Sequence, residues 1–366
     1  MPSWTEFRGA KDPSLRVLDA EFGNAGPAPE ILGDDLITPT TRFFIRSHGD
    51  VPVVDPASWR LEVAGAVRTL LRLSLDDLRG QFPRQTVTAT LVCAGLRRDE
   101  LAMVRPVVGE LPWGLEPIGT AVWSGVPLRE ILQCAGVSPD ARHVEGIGLD
   151  QISRRSARFG FGGSIPLAKA LEPEVLVALE MNGEPLPVLH GGPARLVVPG
   201  FIGARSVKWL GGITLRSDPS ENYFQAEAYR VLANPAPGDP RDVRRGVPLD
   251  WAPLNAAILC PEAEAVVPAG PVLVSGWAFA GETRVRRVEV SGDDGRIWCE
   301  AALQGTSDPW AWVFWRVEVD LAPGRRLLAV RAWDEAGRRQ PEHLAEVWNV
   351  KGYVNNAWHR VPVEVR

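Results

Sequence analysis

Thr90-Leu91-Val92-Cys93-Ala94-Gly95-Leu96-Arg97-Arg98 ends an apolar run at a single thiol and follows it at once with two guanidinium groups. Positive charge beside a thiol favours the thiolate, and a thiolate is a soft ligand for a metal that changes oxidation state. A free cysteine is often just an inert, buried hydrophobe. Here it closes a strand-like run, where loops tend to carry function. Nucleophile, redox switch and metal ligand all stay open at this point.

The flanks set the fold class. Trp59 to Val63 and Val87 to Val92 read as strands and Leu75 to Gly80 as a short helix. Pro127 to Cys134 reads as a helix with proline in its first turn and Gly136 as its stop. Residues 41–217 thus form a mixed α+β domain. Residues 1–40 are an irregular arm rich in Gly and Pro, expected to drape over another surface. Residues 218–249 are a connector, with Asn234-Pro235-Ala236-Pro237-Gly238-Asp239-Pro240 as its breaker cluster. Across 250–366 the runs Pro271 to Ala278, Val285 to Val290, Trp298 to Leu303, Trp312 to Val319 and Leu327 to Trp333 alternate with turns, which predicts an all-β, immunoglobulin-like sandwich.

A chain of 366 residues is too long for one ordinary core. With 45% hydrophobic and 23% charged residues and a net charge of −5, it has the composition of a globular protein without a nucleic-acid footprint. Its basic residues are mostly arginine, suited to oxyanions. Cys93, Cys134, Cys260 and Cys299 form no CxxC pair, so neither a zinc site nor a disulfide framework is expected, and a reducing compartment is. No apolar run approaches membrane-spanning length, and Met1 to Glu6 does not open a secretory or twin-arginine leader, so the expected location is cytoplasmic, with no membrane partner.

Several short segments carry chemistry. In Arg42-Phe43-Phe44-Ile45-Arg46-Ser47-His48, an extended backbone puts Arg46 and His48 on one face, able to hold an anion, although a surface basic patch reads the same way. Phe161 to Ala170, Glu180 to Pro187, His190 to Arg195, Val198 to Gly200 and Gly203 to Leu210 follow. Read singly, Asn182-Gly183 is a hairpin turn and Gly191-Gly192-Pro193 a plain loop.

In order and spacing, from about Arg42 to the C-terminus, these segments resemble the sulfite oxidase family, whose cysteine motif usually reads Cys-Ala-Gly-Asn-Arg-Arg. The resemblance implies a molybdopterin-binding domain, a dimerisation domain and a homodimer, with Trp348 to Arg360 matching the family's C-terminal end. It makes Cys93 the protein ligand to molybdenum. Phe44, Ile45, Arg46, Ser47, His48, His190, Arg195, Ser206, Val207 and Lys208 become contacts of the molybdopterin, and Arg46, Arg98 and Phe161 join Cys93 at the reaction centre. Asp150 is the nearest counterpart of a family aspartate, in a stretch, Gly146 to Arg158, whose alignment is ambiguous. The implied activity is oxygen-atom transfer to sulfite or a related small anionic or polar substrate. Water and two one-electron oxidations by an external partner such as a cytochrome complete the cycle, since no haem or flavin segment is seen.

Two departures bear on substrate. Phe161 stands where the family's tyrosine is expected, and Val313 stands where an arginine would reach in from the C-terminal domain. Each lost charge-assisted bond is worth ~1.5–3 kcal/mol, which predicts weak sulfite affinity that Phe161→Tyr and Val313→Arg would improve. Arg98, Arg105 and Arg316 are the candidates to compensate; otherwise the substrate is less charged, larger or more apolar. The competing readings are a reductase of nitrate or a sulfoxide, a metal-free cysteine hydrolase using Cys93 and His190, and a non-catalytic binding protein.

Overall fold

The computed structural model describes residues 8–154, 157–232, 245–305 and 308–366. Strands dominate, and the helices among the described residues are few and short, the eight-residue Leu128–Ala135 being the longest. The mixed class is therefore weighted more to β than the sequence patterns suggested.

Two sheets build the N-terminal half. One runs in the order Gly162–Pro166, His143–Gly148, Leu210–Arg216, Leu61–Gly65, Leu71–Leu73, with a single parallel pair where Leu210–Arg216 meets Leu61–Gly65. The other runs Glu184–Pro185, Leu176–Met181, Ile118–Pro127, Gln85–Val92 and is antiparallel. Leu61, Val63, Ile165, Val177, Leu196 and Ile213 belong to one apolar core that also takes Leu128, Ile131 and Leu132 from the amphipathic helix. Local chemistry sets the ends. Ser74 and Asp77 close a reciprocal capping box on Leu75–Gly80, the kind of cap worth about 1 kcal/mol. Asn182 and Gly183, both at positive φ, turn the tight hairpin between Leu176–Met181 and Glu184–Pro185.

In the C-terminal half, Asn255–Cys260, Gly270–Phe279, Val313–Leu321 and Ala302–Gly305 form one sheet. Val266–Val267, His359–Val365, Gly324–Asp334, Val285–Ser291 and Cys299–Glu300 form the other. Both pack on one core containing Val274, Val288, Trp315, Leu328, Val330 and Val363. The single run expected over Trp298 to Leu303 is divided, Cys299–Glu300 joining one sheet and Ala302–Gly305 the other.

Two other expectations need correcting. The N-terminal arm carries regular structure: a hairpin of Arg16–Asp19 with Asn24–Gly26, then the helix Pro29–Leu32. Ala25 exchanges two backbone hydrogen bonds with Ile45, at 3.1 and 2.7 Å. The stretch read as a connector holds the helix Tyr223–Ala226 and a strand pair, Arg230–Val231 with Val247–Pro248. Its Asn234 to Pro240 breaker cluster lies outside the described residues. No helix of the described residues is long and apolar enough to cross a membrane.

Candidate active site

The strand Gln85–Val92 delivers Cys93 to the meeting place of the two halves. Thr90 N–H donates to the Trp310 carbonyl at 2.9 Å and Val354 N–H to the Ala94 carbonyl at 2.7 Å, so the C-terminal half grips both sides of the cysteine loop. Leu96, where the resemblance has asparagine, is buried with Trp277, Phe279 and Tyr353 in the apolar cluster that joins the halves.

The two arginines do not point at the thiol. Arg97 has a left-handed backbone and a fully buried side chain that pairs with Glu100 and donates to Asn255 Oδ1 at 2.7 Å and the Ala357 carbonyl at 2.9 Å. Arg98 donates to the Leu111, Lys351 and Gly352 carbonyls at 2.8, 3.0 and 3.2 Å and lies 5.2 Å over the Tyr353 ring. The guanidinium groups are spent on binding the C-terminal segment, because a buried arginine with five donors must find acceptors. What reaches the sulfur is a backbone dipole, Gly95 N–H, at 3.4 Å.

Cys93 opens into a cavity of about 720 Å³, its mouth included. Phe44, Ile45, Arg46, Ser47, His48, Phe161, His190, Arg195, Ser206 and Lys208 line it, as expected from sequence. Val207 does not; its side chain is in the core of the N-terminal half, with only the flanking Ser206 and Lys208 turned to the cavity. Asp150, set aside at first, does line it, its buried carboxylate accepting Phe161 N–H at 2.9 Å.

Each wall has its own support. Asn24 on the arm accepts from Ser47 N–H at 2.7 Å and from Arg46 at 3.3 Å, fixing the Arg46-Ser47-His48 segment. Gly191, at φ 105°, lets the His190 loop close on Lys208; a Cβ there would lie 2.9 Å from the Lys208 Cα. Lys208 donates to Ser47 Oγ at 2.7 Å, joining two walls. Arg195 donates to the His190 and Ser206 carbonyls, both at 2.8 Å, and lies 5.1 Å over Trp123.

Sequence reasoning missed Tyr229. It sits in the stretch read as a connector, is buried, holds a left-handed backbone at φ 48°, and brings its hydroxyl to 2.8 Å from His48 Nε2. Tyr353 stacks on it at 5.3 Å, and Arg98 on Tyr353. Arg46 Nη2 lies 3.1 Å from His48 Nδ1. A guanidinium only donates, so Nδ1 accepts and the neutral imidazole carries its proton on Nε2, donating it to the Tyr229 oxygen. The phenolic proton is then left for another acceptor. A non-glycine residue held at positive φ invites a functional reading.

Five basic residues, Arg46, His48, His190, Arg195 and Lys208, share this cavity with one acid, Asp150. Burial, then repulsion from neighbouring cations, holds His48, His190 and Lys208 well below their usual pKa, and burial lowers Arg195 to about 9. Burial raises Tyr229 and Asp150. Such a site calls for an anion. Among the described residues no three His, Cys, Asp or Glu side chains converge to hold a metal ion, so a metal at Cys93 would take one sulfur from the protein and its other donors from a bound cofactor. A dithiolene pterin with a phosphate fits both halves of that requirement.

The pocket partners expected elsewhere do not arrive. Phe161 lies against His48 at 5.4 Å and Phe224 at 4.4 Å, as an aromatic wall. Val313 packs on the core of the C-terminal sheets. Arg316 lines a separate cleft with Glu30 and Asp34, and Arg105 lies 5.1 Å over Trp348. A more open space of about 850 Å³ shares Arg46, Ser47 and His48 with the cavity and is lined also by Arg154, Tyr223 and Lys351.

Comparison with known proteins agrees with this construction. Residues 48–224 match the oxidoreductase molybdopterin binding domain, and residues 249–366 match the Mo-co oxidoreductase dimerisation domain. Sulfite oxidase of Gallus gallus is 40% identical over 96% of this chain and 78% of its own length. Sulfite oxidase of Arabidopsis thaliana is 36% identical over 98% of this chain and 96% of its own. The crystal structure of the sulfane dehydrogenase SoxCD from Paracoccus pantotrophus superposes with a TM-score of 0.81 at 28% identity, covering 100% of this chain and 90% of that one. With a single thiol at an anion-seeking cavity and a matching dimerisation domain, the chain belongs to the sulfite oxidase family of molybdopterin-dependent oxidoreductases.

Proposed function

We propose that the protein oxidises sulfite or a closely related small sulfur oxyanion at the cavity bounded by Cys93, Arg46 and Tyr229. The observation that carries this is the cluster of basic side chains around one thiol, with a phenolic hydroxyl whose proton is unclaimed. Cys93 Sγ would be the protein's ligand to molybdenum, and His190, Arg195, Ser206 and Lys208 would hold the phosphate-bearing pterin. When bound, the molybdenum cofactor supplies oxygen-atom transfer and takes up two electrons.

The chain's own residues do the rest. Arg46 draws the oxyanion in from the outer space and neutralises part of its charge. His48, held neutral and in its Nε2–H form, steers the Tyr229 hydroxyl so that its proton meets a substrate oxygen. Burial keeps that phenol protonated, hence a donor throughout the working pH range. Tyr229 supplies the donor that Phe161 lacks, so the loss expected from sequence shrinks to a single charged bond, the one Val313 does not make. Arg98 acts through Tyr353, holding the ring on which Tyr229 stacks.

An external one-electron acceptor such as a cytochrome restores the centre. Residues 250–366 form an immunoglobulin-like sandwich through which two copies pair, following a catalytic unit over 41–217. The free thiols fit a reducing, cytoplasmic setting. The test is direct: the protein from a cofactor-competent host should hold about one molybdenum per chain and reduce ferricyanide on addition of sulfite. Metal-free protein would sink the reading, and loaded protein that leaves sulfite untouched would sink the choice of substrate.

A further inference from the structure

Lys11 stands on the N-terminal arm, far in sequence from every motif of the site, and is buried to within 8% of full exclusion from solvent. Its ammonium has three protons and three acceptors: the Thr40 carbonyl at 2.6 Å, the Phe43 carbonyl at 2.9 Å and His190 Nε2 at 2.9 Å. No carboxylate is among them. A lysine buried without a counter-ion, beside a histidine that already faces Arg195 and Lys208, is costly unless the arrangement serves a ligand.

The chemistry of the contact is one-directional. An ammonium only donates, so His190 Nε2 must present its lone pair, and the proton of the neutral imidazole goes to Nδ1. Without the ammonium, the Thr40 carbonyl that it now engages beside the ring competes for that proton. We infer that Lys11 is a positioning residue of the anion site: it locks His190 as the Nδ1–H tautomer, so that the ring offers a donor to a phosphate group held with Arg195 and Lys208. The inference rests on the reading of this cavity as the cofactor site. The arm thereby completes the site from a second direction, Asn24 fixing the Arg46 segment and Lys11 fixing His190.

The first measurement is made with Lys11 in place. The full chain, prepared without cofactor and labelled with 15N-histidine, contains five histidines, and the signal that disappears in His190→Gln assigns residue 190. Below pH 7, where Lys11 keeps its proton and His190 is still neutral, wild-type His190 should show a pyridine-type Nε2 and a pyrrole-type Nδ1; the reverse pattern overturns the inference. In Lys11→Met the pattern should reverse, and affinity for inorganic phosphate, measured by titration calorimetry, should fall about tenfold, the value of one charge-assisted bond gained or lost. Lys11→Gln, which keeps an N–H donor without the charge, should restore the wild-type tautomer. If Lys11 merely tethers the arm, Lys11→Met will lower the unfolding temperature yet leave tautomer and phosphate affinity as they were, which overturns the inference alone. A wild type that binds no phosphate overturns the reading of the cavity and the inference with it.

Discussion

Removal of the Tyr229 hydroxyl is the perturbation that most sharply separates this structure from its sequence. Tyr229→Phe deletes one oxygen, 2.8 Å from His48 Nε2, and leaves the buried ring, its stack on Tyr353 and the left-handed backbone in place. Two costs follow. The Nε2–H of His48 loses its acceptor inside the protein, worth about 1–3 kcal/mol of stability unless a water replaces it. An anionic substrate loses one charge-assisted donor, worth ~1.5–3 kcal/mol, or roughly ten- to hundred-fold in kcat/KM. The assay is steady-state reduction of ferricyanide by sulfite, normalised to molybdenum content, alongside thermal unfolding. The loss should fall on kcat/KM with molybdenum content unchanged. Phe161→Tyr in the same background should not rescue it, because the ring at position 161 stacks on His48 and leans on Phe224 as an aromatic wall. Wild-type kcat/KM in Tyr229→Phe, or rescue by Phe161→Tyr, would refute the argument and return the pocket to the reading made from sequence.

Other consequences can be checked with little more effort. Cys93→Ser should abolish turnover while pterin, released and measured by fluorescence, stays near wild-type content; an active serine variant would remove Cys93 as ligand. Arg97→Met strands Glu100 in the contact between the halves and should lower the unfolding free energy by about 3–5 kcal/mol in urea titrations. Val313→Arg should leave sulfite kinetics unchanged, since the side chain points into the core of the C-terminal sheets, and should instead destabilise the fold. The pH response of cofactor-free protein follows from Lys11, which burial lowers from 10.5 to about 7. Between those values the unfolded chain holds a proton that the folded chain has released. Stability should therefore rise from pH 7 towards 10 by up to about 1.4 kcal/mol per unit from this group, and Lys11→Met should flatten the slope.

Local chemistry was legible and direction was not. The helix over Leu75 to Gly80, the helix after Pro127, the Asn182-Gly183 turn and the strand leading to Cys93 all follow from neighbours within a few residues. The cavity's basic residues were legible too, because Arg46, His48, His190, Arg195 and Lys208 lie in segments with a family pattern. Arg97 and Arg98 were misread because adjacency to a thiol in sequence says nothing about where a long side chain finds acceptors; a left-handed backbone at Arg97 sends both towards the C-terminal segment. Val207 was swept in with its neighbours, although the alternation of side chains puts it on the core face. Tyr229 escaped because its place depends on His48 and Tyr353, two contacts from distant parts of the chain. Lys11 lay in an arm whose composition pointed only to irregularity.

The grip of residues 353–357 on the cysteine loop has a consequence in time. A ribosome finishes Cys93 long before it finishes Tyr353, Asn355 and Ala357, yet Asn355 caps the Arg97 carbonyl and Tyr353 backs the tyrosine of the pocket. The nascent chain therefore cannot complete this chamber until residues 353–357 have emerged. A chain cut short near residue 345 would carry Cys93 but lack the residues that close the chamber around it.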